Sequence, residues 1–304
     1  MSAVLLKAAA FVLVIIAGYG LKRLHIFKAS DFQIISQIIM KITLPAVIIS
    51  TFNGMNFESS LLIIVLFGIG CNLITIGTGW LLARKLSPSE KAFHMINMSG
   101  YNIGCFTLPF IQSMLEPAGT IACCLFDTGN SLLCTGGTYG IAASVANNGE
   151  KTTVVSFIKK CLSSVPLDAY LVMLLLSLFH LSLPDTVISL IQPMKDANGF
   201  LAMLMIGVGF ELSLEPSQIK RIAKVLGFRY GISIVFALLF WFVLPFSVPV
   251  RLALVIVLFS PVSVVAPIFT QRCKGDVSMA SAVNSLSIII SLVTITSILL
   301  CAGI

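Results

Sequence analysis

Ser99-Gly100-Tyr101-Asn102-Ile103-Gly104-Cys105-Phe106-Thr107-Leu108-Pro109 interrupts an apolar run that would otherwise read as one continuous helix. Glycine tolerates unwound backbone, and proline removes an amide donor and clashes with the preceding turn. A later apolar run is interrupted in the same way by Ser260-Pro261-Val262-Ser263-Val264-Val265-Ala266-Pro267. In lipid, such a break leaves backbone groups unsatisfied unless protein or a water-filled cavity covers them. Interrupted segments at corresponding positions of two halves point to a binding site near the midplane. A plain proline kink is the competing reading, and for the second stretch taken alone it is the simpler one.

The surrounding composition makes lipid the relevant solvent. The 304 residues are 58% hydrophobic and only 10% charged, against roughly 25% charged for a soluble domain, and the mean hydropathy is +1.04. Apolar runs of bilayer length recur along the chain, whereas barrel strands would alternate in shorter segments. Ten spans are expected, near 3–22, 31–52, 59–83, 89–115, 118–146, 164–182, 186–212, 219–244, 250–271 and 277–301. Ser87-Pro88-Ser89-Glu90 reads as a capping box with proline at the first helical position. Pro166, Pro216 and Pro249 mark further helix starts, and Asp276 an N-cap. The first run has a single early charge, Lys7, and no small-residue cleavage site, so it reads as an uncleaved span.

The basic residues orient these spans. Lys22, Arg23 and Lys28 fall in the first loop, Arg84, Lys85 and Lys91 at the third, and Lys151, Lys159 and Lys160 in the fifth. Lys220, Arg221, Lys224 and Arg229 fall at the seventh, and Arg272 and Lys274 in the ninth, while the intervening loops hold only Arg251. The positive-inside rule then places both termini outside the cytoplasm of a plasma-membrane protein. A cytoplasmic fringe facing anionic lipid accounts for the formal charge of +7 without any nucleic acid.

Asn147 to Cys161 is the longest polar stretch and divides five spans from five. The expected organisation is an N-terminal five-helix repeat over 1–146, a cytoplasmic linker over 147–163 and a C-terminal five-helix repeat over 164–304. An odd number of spans per half requires the repeats to be inverted. Asn130-Ser131-Leu132 recurs as Asn284-Ser285-Leu286 at a shift of 154 residues, and Pro109 and Pro261 lie 152 apart.

Half-helix N-termini carry partial positive charge and free amides, which suits a carboxylate. The second halves of spans four and nine are expected to begin near Thr107–Pro109 and Pro261–Ser263. Asn102, Gly104, Thr107 and Ser263 are the candidate substrate-lining residues, with Pro109 and Pro261 shaping the breaks. Asn102 and Thr107 would serve equally well as hydrogen-bonding glue between helices. Asp127, Asn130, Ser131, Cys134 and Thr138 share one face of span five, and Asn284, Ser287, Ser291 and Thr294 do so in span ten. An ionisable residue within a span marks a functional site by default. Asp127 could take up a proton, hold a sodium ion with Asn130 and Asn284, or pair with a buried lysine such as Lys41. Lys195 beside Asp196 suggests a structural pair, and Gly136-x-x-x-Gly140 close helix packing. No nucleotide-binding glycine loop exists, the eight cysteines form no C-x-x-C, and the three histidines lack metal-ligand spacing. No metal, cofactor or enzymatic activity is expected.

Asn102-x-Gly104 with Pro109, its counterpart Ser260-Pro261, and Thr43-Leu44-Pro45-Ala46 resemble the auxin efflux carrier family of bacterial permeases and plant carriers. Phe200 to Gly207 and Arg272-Cys273-Lys274-Gly275-Asp276 fit the same resemblance, which covers essentially the full chain and points to the bacterial branch. Ser263 and Val264 depart from it, standing where more polar residues would strengthen the match. The resemblance implies an all-α membrane protein of ten helices in two inverted five-helix repeats, with broken helices four and nine crossing near the midplane. It implies alternating-access transport of small organic anions, either auxins or malate- and malonate-like carboxylates. It further implies a scaffold of spans one, two, six and seven, often a homodimer, beside a moving transport domain. A sodium-coupled symporter of the bile-acid-transporter fold shares the inverted repeats and crossing. An intramembrane enzyme would need clustered Asp or His at one membrane face, and the acids here are dispersed.

Overall fold

The computed structural model describes residues 2–28, 30–55, 59–146, 164–211 and 215–303. The expected divider at Asn147 to Cys161, and with it the 147–163 linker, lies outside the described residues. In chain order the helices are α1 (Ser2–Arg23), α2 (Asp31–Ile38), α3 (Leu44–Phe52), α4 (Ile63–Leu82), α5 (Pro88–Met98), α6 (Leu108–Met114) and α7 (Pro117–Leu132). There follow α8 (Thr138–Val145), α9 (Val165–Leu178), α10 (Asp185–Gly209), α11 (Ile219–Val243), α12 (Val248–Leu258), α13 (Ala266–Arg272) and α14 (Val277–Cys301). No strand occurs among the described residues, only an isolated bridge.

Several helix starts follow from local chemistry. The Ser87 hydroxyl accepts the Glu90 N–H at 3.4 Å, with Pro88 beginning α5. Glu90 does not complete the capping box, because its carboxylate pairs with Arg221 instead. Asp276 caps α14 by accepting the Met279 N–H at 2.9 Å. Pro216 lies in the turn before α11 and does not begin that helix, which starts at Ile219.

Among the described residues, five helical stretches are long and apolar enough to cross a membrane: Leu5–Arg23, Asp31–Phe52, Ser60–Leu82, Ile219–Val243 and Val277–Cys301. Their outer faces carry exposed Leu6, Leu66 and Phe242, each more than 60% accessible. Large apolar side chains displayed in this way belong against lipid. Without a hydrophobic drive between helices in lipid, small residues supply the close contacts. Gly68 of α4 lies against the Phe126 carbonyl of α7, and Gly129 of α7 against the Val65 carbonyl of α4. Gly18 of α1 and Gly207 of α10 make a second reciprocal contact of this kind.

Both interrupted helices are broken, and they meet. The first consists of α5, an unwound stretch at 99–102, a π-helical turn over Ile103–Thr107, and α6. The second consists of α12, an unwound stretch at 259–265, and α13. The leading halves α5 and α12 have 11 residues each, and the trailing halves α6 and α13 have 7 each. Tyr101 and Val262 form an isolated antiparallel bridge where the two stretches cross, and the Asn102 N–H donates to the Pro261 carbonyl at 2.9 Å. Gly100 takes φ +73° there, a conformation that costs an L side chain about 1–2 kcal/mol.

The prolines are placed differently from the sequence expectation. Pro109 is not in the break: it is the second residue of α6, just past the π-helical turn. Pro267 holds the same place in α13, so the structural counterpart of Pro109 is Pro267 rather than Pro261. The trailing half of the second helix accordingly begins at Ala266 and not at Pro261–Ser263.

Candidate functional site

The crossing roofs a cavity of about 520 Å³. Its walls come from the π-helical turn Ile39–Thr43, the first break, α7 with the π-helical turn Leu133–Gly137, the start of α9, and the second break. Three π-helical turns therefore border one cavity, and such turns concentrate at functional sites. The turn at Ile39–Thr43 inserts a residue without ending the helix, whereas the turn at Leu133–Gly137 kinks it at Gly136.

Asn130 organises the first break. Its side-chain oxygen accepts the Tyr101 N–H at 3.1 Å, and its amide nitrogen donates to the Tyr101 carbonyl at 2.8 Å. One side chain thus satisfies both backbone groups of Tyr101. Asn72 of α4 supports it, donating to Asn130 Oδ1 at 3.1 Å and accepting the Gly100 N–H at 2.8 Å. Asn284 of α14 plays the matching part at the second break, donating to the carbonyls of Val262 at 2.9 Å and Ser263 at 3.3 Å. The Val262 N–H goes to Ser287 at 3.0 Å.

Asp127 lies one turn before Asn130 and is buried on the cavity wall. Its carboxylate accepts from Asn130 Nδ2 at 2.8 Å and from the Tyr170 hydroxyl of α9 at 3.0 Å. Among the described residues it makes no ion pair. Lys41 borders the same cavity but is exposed and does not reach Asp127. The expected Lys195–Asp196 pair is also not formed: Asp196 accepts from Gln192 at 2.8 Å.

The remaining candidates divide between lining and support. Asn102, Gly104 and Ser263 line the cavity. The Asn102 Nδ2 is buried without a hydrogen-bond partner. Gly104 keeps the wall thin, since a Cβ there would stand 2.7 Å from Leu44 and 3.6 Å from Asp127 Oδ2. Among the described residues, the N–H groups of Ser263, Val264 and Val265, all lining residues, donate to no backbone carbonyl. Thr107 is fully buried away from the cavity, its hydroxyl 2.6 Å from that of Ser260, so it joins the two broken helices. Pro109 packs within α6, and Pro261 contributes its carbonyl to the crossing, so neither lines the cavity. Asn284 borders an adjoining cavity of about 210 Å³ with Gln33 and Glu211, which shares Val264 and Ile268 with the first but does not reach Asp127 or Asn130.

Asn72, Tyr170 and Arg229 are the participants that the sequence reading missed. Arg229 had been assigned to the cytoplasmic fringe, yet it is 0% exposed in α11 and sits at the crossing. The available signal was that Arg229 is the only charged residue of the apolar run from Val225 to Val243. A charged residue within such a run is expensive and marks function.

A family model described as a membrane transport protein matches residues 4–299. No curated protein matches the chain.

Proposed function

Because the chain belongs to the membrane transport protein family, the auxin efflux carriers, we propose that this multi-pass membrane protein is a secondary transporter moving a small organic anion across the plasma membrane by alternating access. One observation carries the anion reading: Asn102, whose buried side-chain amide has no partner among the described residues, and Ser263, Val264 and Val265, whose N–H groups donate to no described carbonyl, border a single cavity. Successive backbone N–H groups in a concave wall suit a carboxylate. The volume of about 520 Å³ falls within the range of small-molecule sites. Lys41 and Arg272 border the same cavity and add positive potential to it.

Counting across the breaks, α2 with α3, α5 with α6, α7 with α8 and α12 with α13 each make one crossing, which gives ten in this reading. The equal leading halves of 11 residues support two inverted repeats. With both termini outside, the end of the cavity marked by Ser164 and Arg272 opens to the cytoplasm. Asp127 is then the coupling group. An anion held at Asn102 is repelled by an ionised Asp127, so substrate enters together with a proton or a cation that neutralises the carboxylate.

Purified protein in liposomes tests this reading. Malate, malonate and an indole acetate are offered across imposed proton and sodium gradients. Uptake of at least one carboxylate, driven by one of the two gradients, is expected. Failure to move any of them under either gradient overturns the proposal.

A further inference from the structure

Arg229 is a fully buried cation that makes no ion pair among the described residues. Its guanidinium is spent instead on four main-chain carbonyls, two from each broken helix. Nη1 donates to Met98 at 2.7 Å, and Nη2 to Gly100 at 2.9 Å, Ser260 at 3.2 Å and Pro261 at 3.4 Å. The Cζ atom lies 4.9 Å over the ring of Tyr101, a residue that borders the cavity. Nε has no partner.

Met98 ends α5, and Gly100, Ser260 and Pro261 lie in the unwound stretches just past α5 and α12, where helix C-termini present partial negative charge. Two such ends face each other at the crossing. Left alone, they would repel any anion bound beside Tyr101 and Ser263. Arginine answers this geometry well. Its planar fork reaches several oxygens at once, and it keeps its charge at any physiological pH. Carbonyls satisfy its donors but do not cancel that charge.

We infer that Arg229 is a specificity-determining residue of the transport site: it ties the two leading half-helices together and gives the crossing a fixed positive charge that selects anions. The inference rests on the transporter reading above and adds the source of its charge preference. Arg229 does not touch the ligand. It acts through the Tyr101 wall and through the carbonyls it holds. The ionisable groups around it are Tyr101 in the first break, its neighbour Tyr230 on α11 and the Cys134 thiol, so among the described residues no carboxylate offsets it locally. Asp127 is reached only through Asn130 and Tyr101.

Charge preference separates this role from simple stapling. Malonate and its neutral diamide, malonamide, have nearly the same shape, and each can be scored by the thermal stabilisation it confers on purified protein in detergent. Wild type is expected to respond to malonate at concentrations at least tenfold below those needed for malonamide. In Arg229→Gln that ratio should fall toward one, while Arg229→Lys should retain a preference with weaker binding of both. If Arg229→Gln melts as wild type without ligand and still prefers malonate by the wild-type ratio, Arg229 is only a staple and the inference fails, although the transporter reading stands. If Arg229→Gln does not fold, Arg229→Lys decides, and loss of the preference with the charge retained also refutes it. A wild-type protein indifferent to both compounds would bring down the anion reading and this inference together.

Discussion

Asp127 and Asn102 face the same cavity in opposite states of need, and each yields a clean experiment. The carboxylate has two donors, while the Asn102 amide has no acceptor. Removing that amide breaks no internal hydrogen bond, so Asn102→Ala should lower substrate affinity with little loss of stability. A hydrogen bond to a charged ligand is worth about 1.5–3 kcal/mol, roughly a tenfold or greater weakening. Malonate titration alongside a melting curve measures both effects, and a large drop in melting temperature would show that the amide has a structural partner after all. Asp127→Asn keeps the shape and still accepts from Tyr170 but cannot titrate. It should abolish pH-driven accumulation while leaving substrate exchange, and an unchanged pH profile of uptake would refute coupling through this carboxyl. Asn102 was readable because the glycines around it advertise a break. Arg229 was not, because Lys220, Arg221 and Lys224 precede it on the same helix and all four were attributed to the fringe. Burial tells them apart: Lys220 and Lys224 are exposed, whereas Arg229 is 0% exposed.

At the scale of elements, the two broken helices explain why proline was a good guide to the breaks and a poor guide to their ends. Proline is tolerated in the first turn of a helix, and both trailing halves use it there, at Pro109 and Pro267. Pro109→Ala and Pro261→Ala should therefore be mild, costing about 0.4–1 kcal/mol through the unfolded chain with uptake near wild type. The crossing is held by Asn130, Asn284 and Arg229 rather than by the rings. Gly100→Ala should be the damaging change, since it meets both the positive φ and a Ser263 Cβ only 3.0 Å away. Comparing uptake by the three variants at equal membrane content decides between ring and backbone. The helices themselves were legible from apolar run length, and the caps at Ser87 and Asp276 from their side chains. The π-helical turns were not, because one extra residue per turn leaves composition and hydropathy unchanged. Close packing of α4 on α7 makes its own demand. A side chain at Gly129 would overlap the Val65 carbonyl, so Gly129→Val should destabilise the protein by about 1–3 kcal/mol, seen as a lower melting temperature in detergent.

For the whole molecule, the question is which side of the membrane the cavity faces, and a native thiol can answer it. Cys134 lies on the cavity wall, part-buried, with its sulfur donating to Asn130 Oδ1 at 3.3 Å. It sits beyond Asn130 toward the end marked by Ser164 and Arg272, which the basic loops assign to the cytoplasm. In a variant keeping only Cys134 of the eight cysteines, a small membrane-impermeant thiol reagent should react readily in inside-out vesicles and poorly in right-side-out ones. Malonate should slow that reaction, because an anion bound across Asn102 and Ser263 fills the approach to the sulfur. The two outcomes are independent. Labelling only from the outside would invert the topology and leave the site intact. Labelling from the inside at a rate malonate cannot change would keep the topology and move the substrate away from the crossing. Equal labelling from both sides, under conditions where the vesicles stay sealed, would mean a pore continuous across the crossing. Alternating access would then be excluded, because the Tyr101–Val262 bridge has to close the cavity on its far side for this protein to work as a carrier.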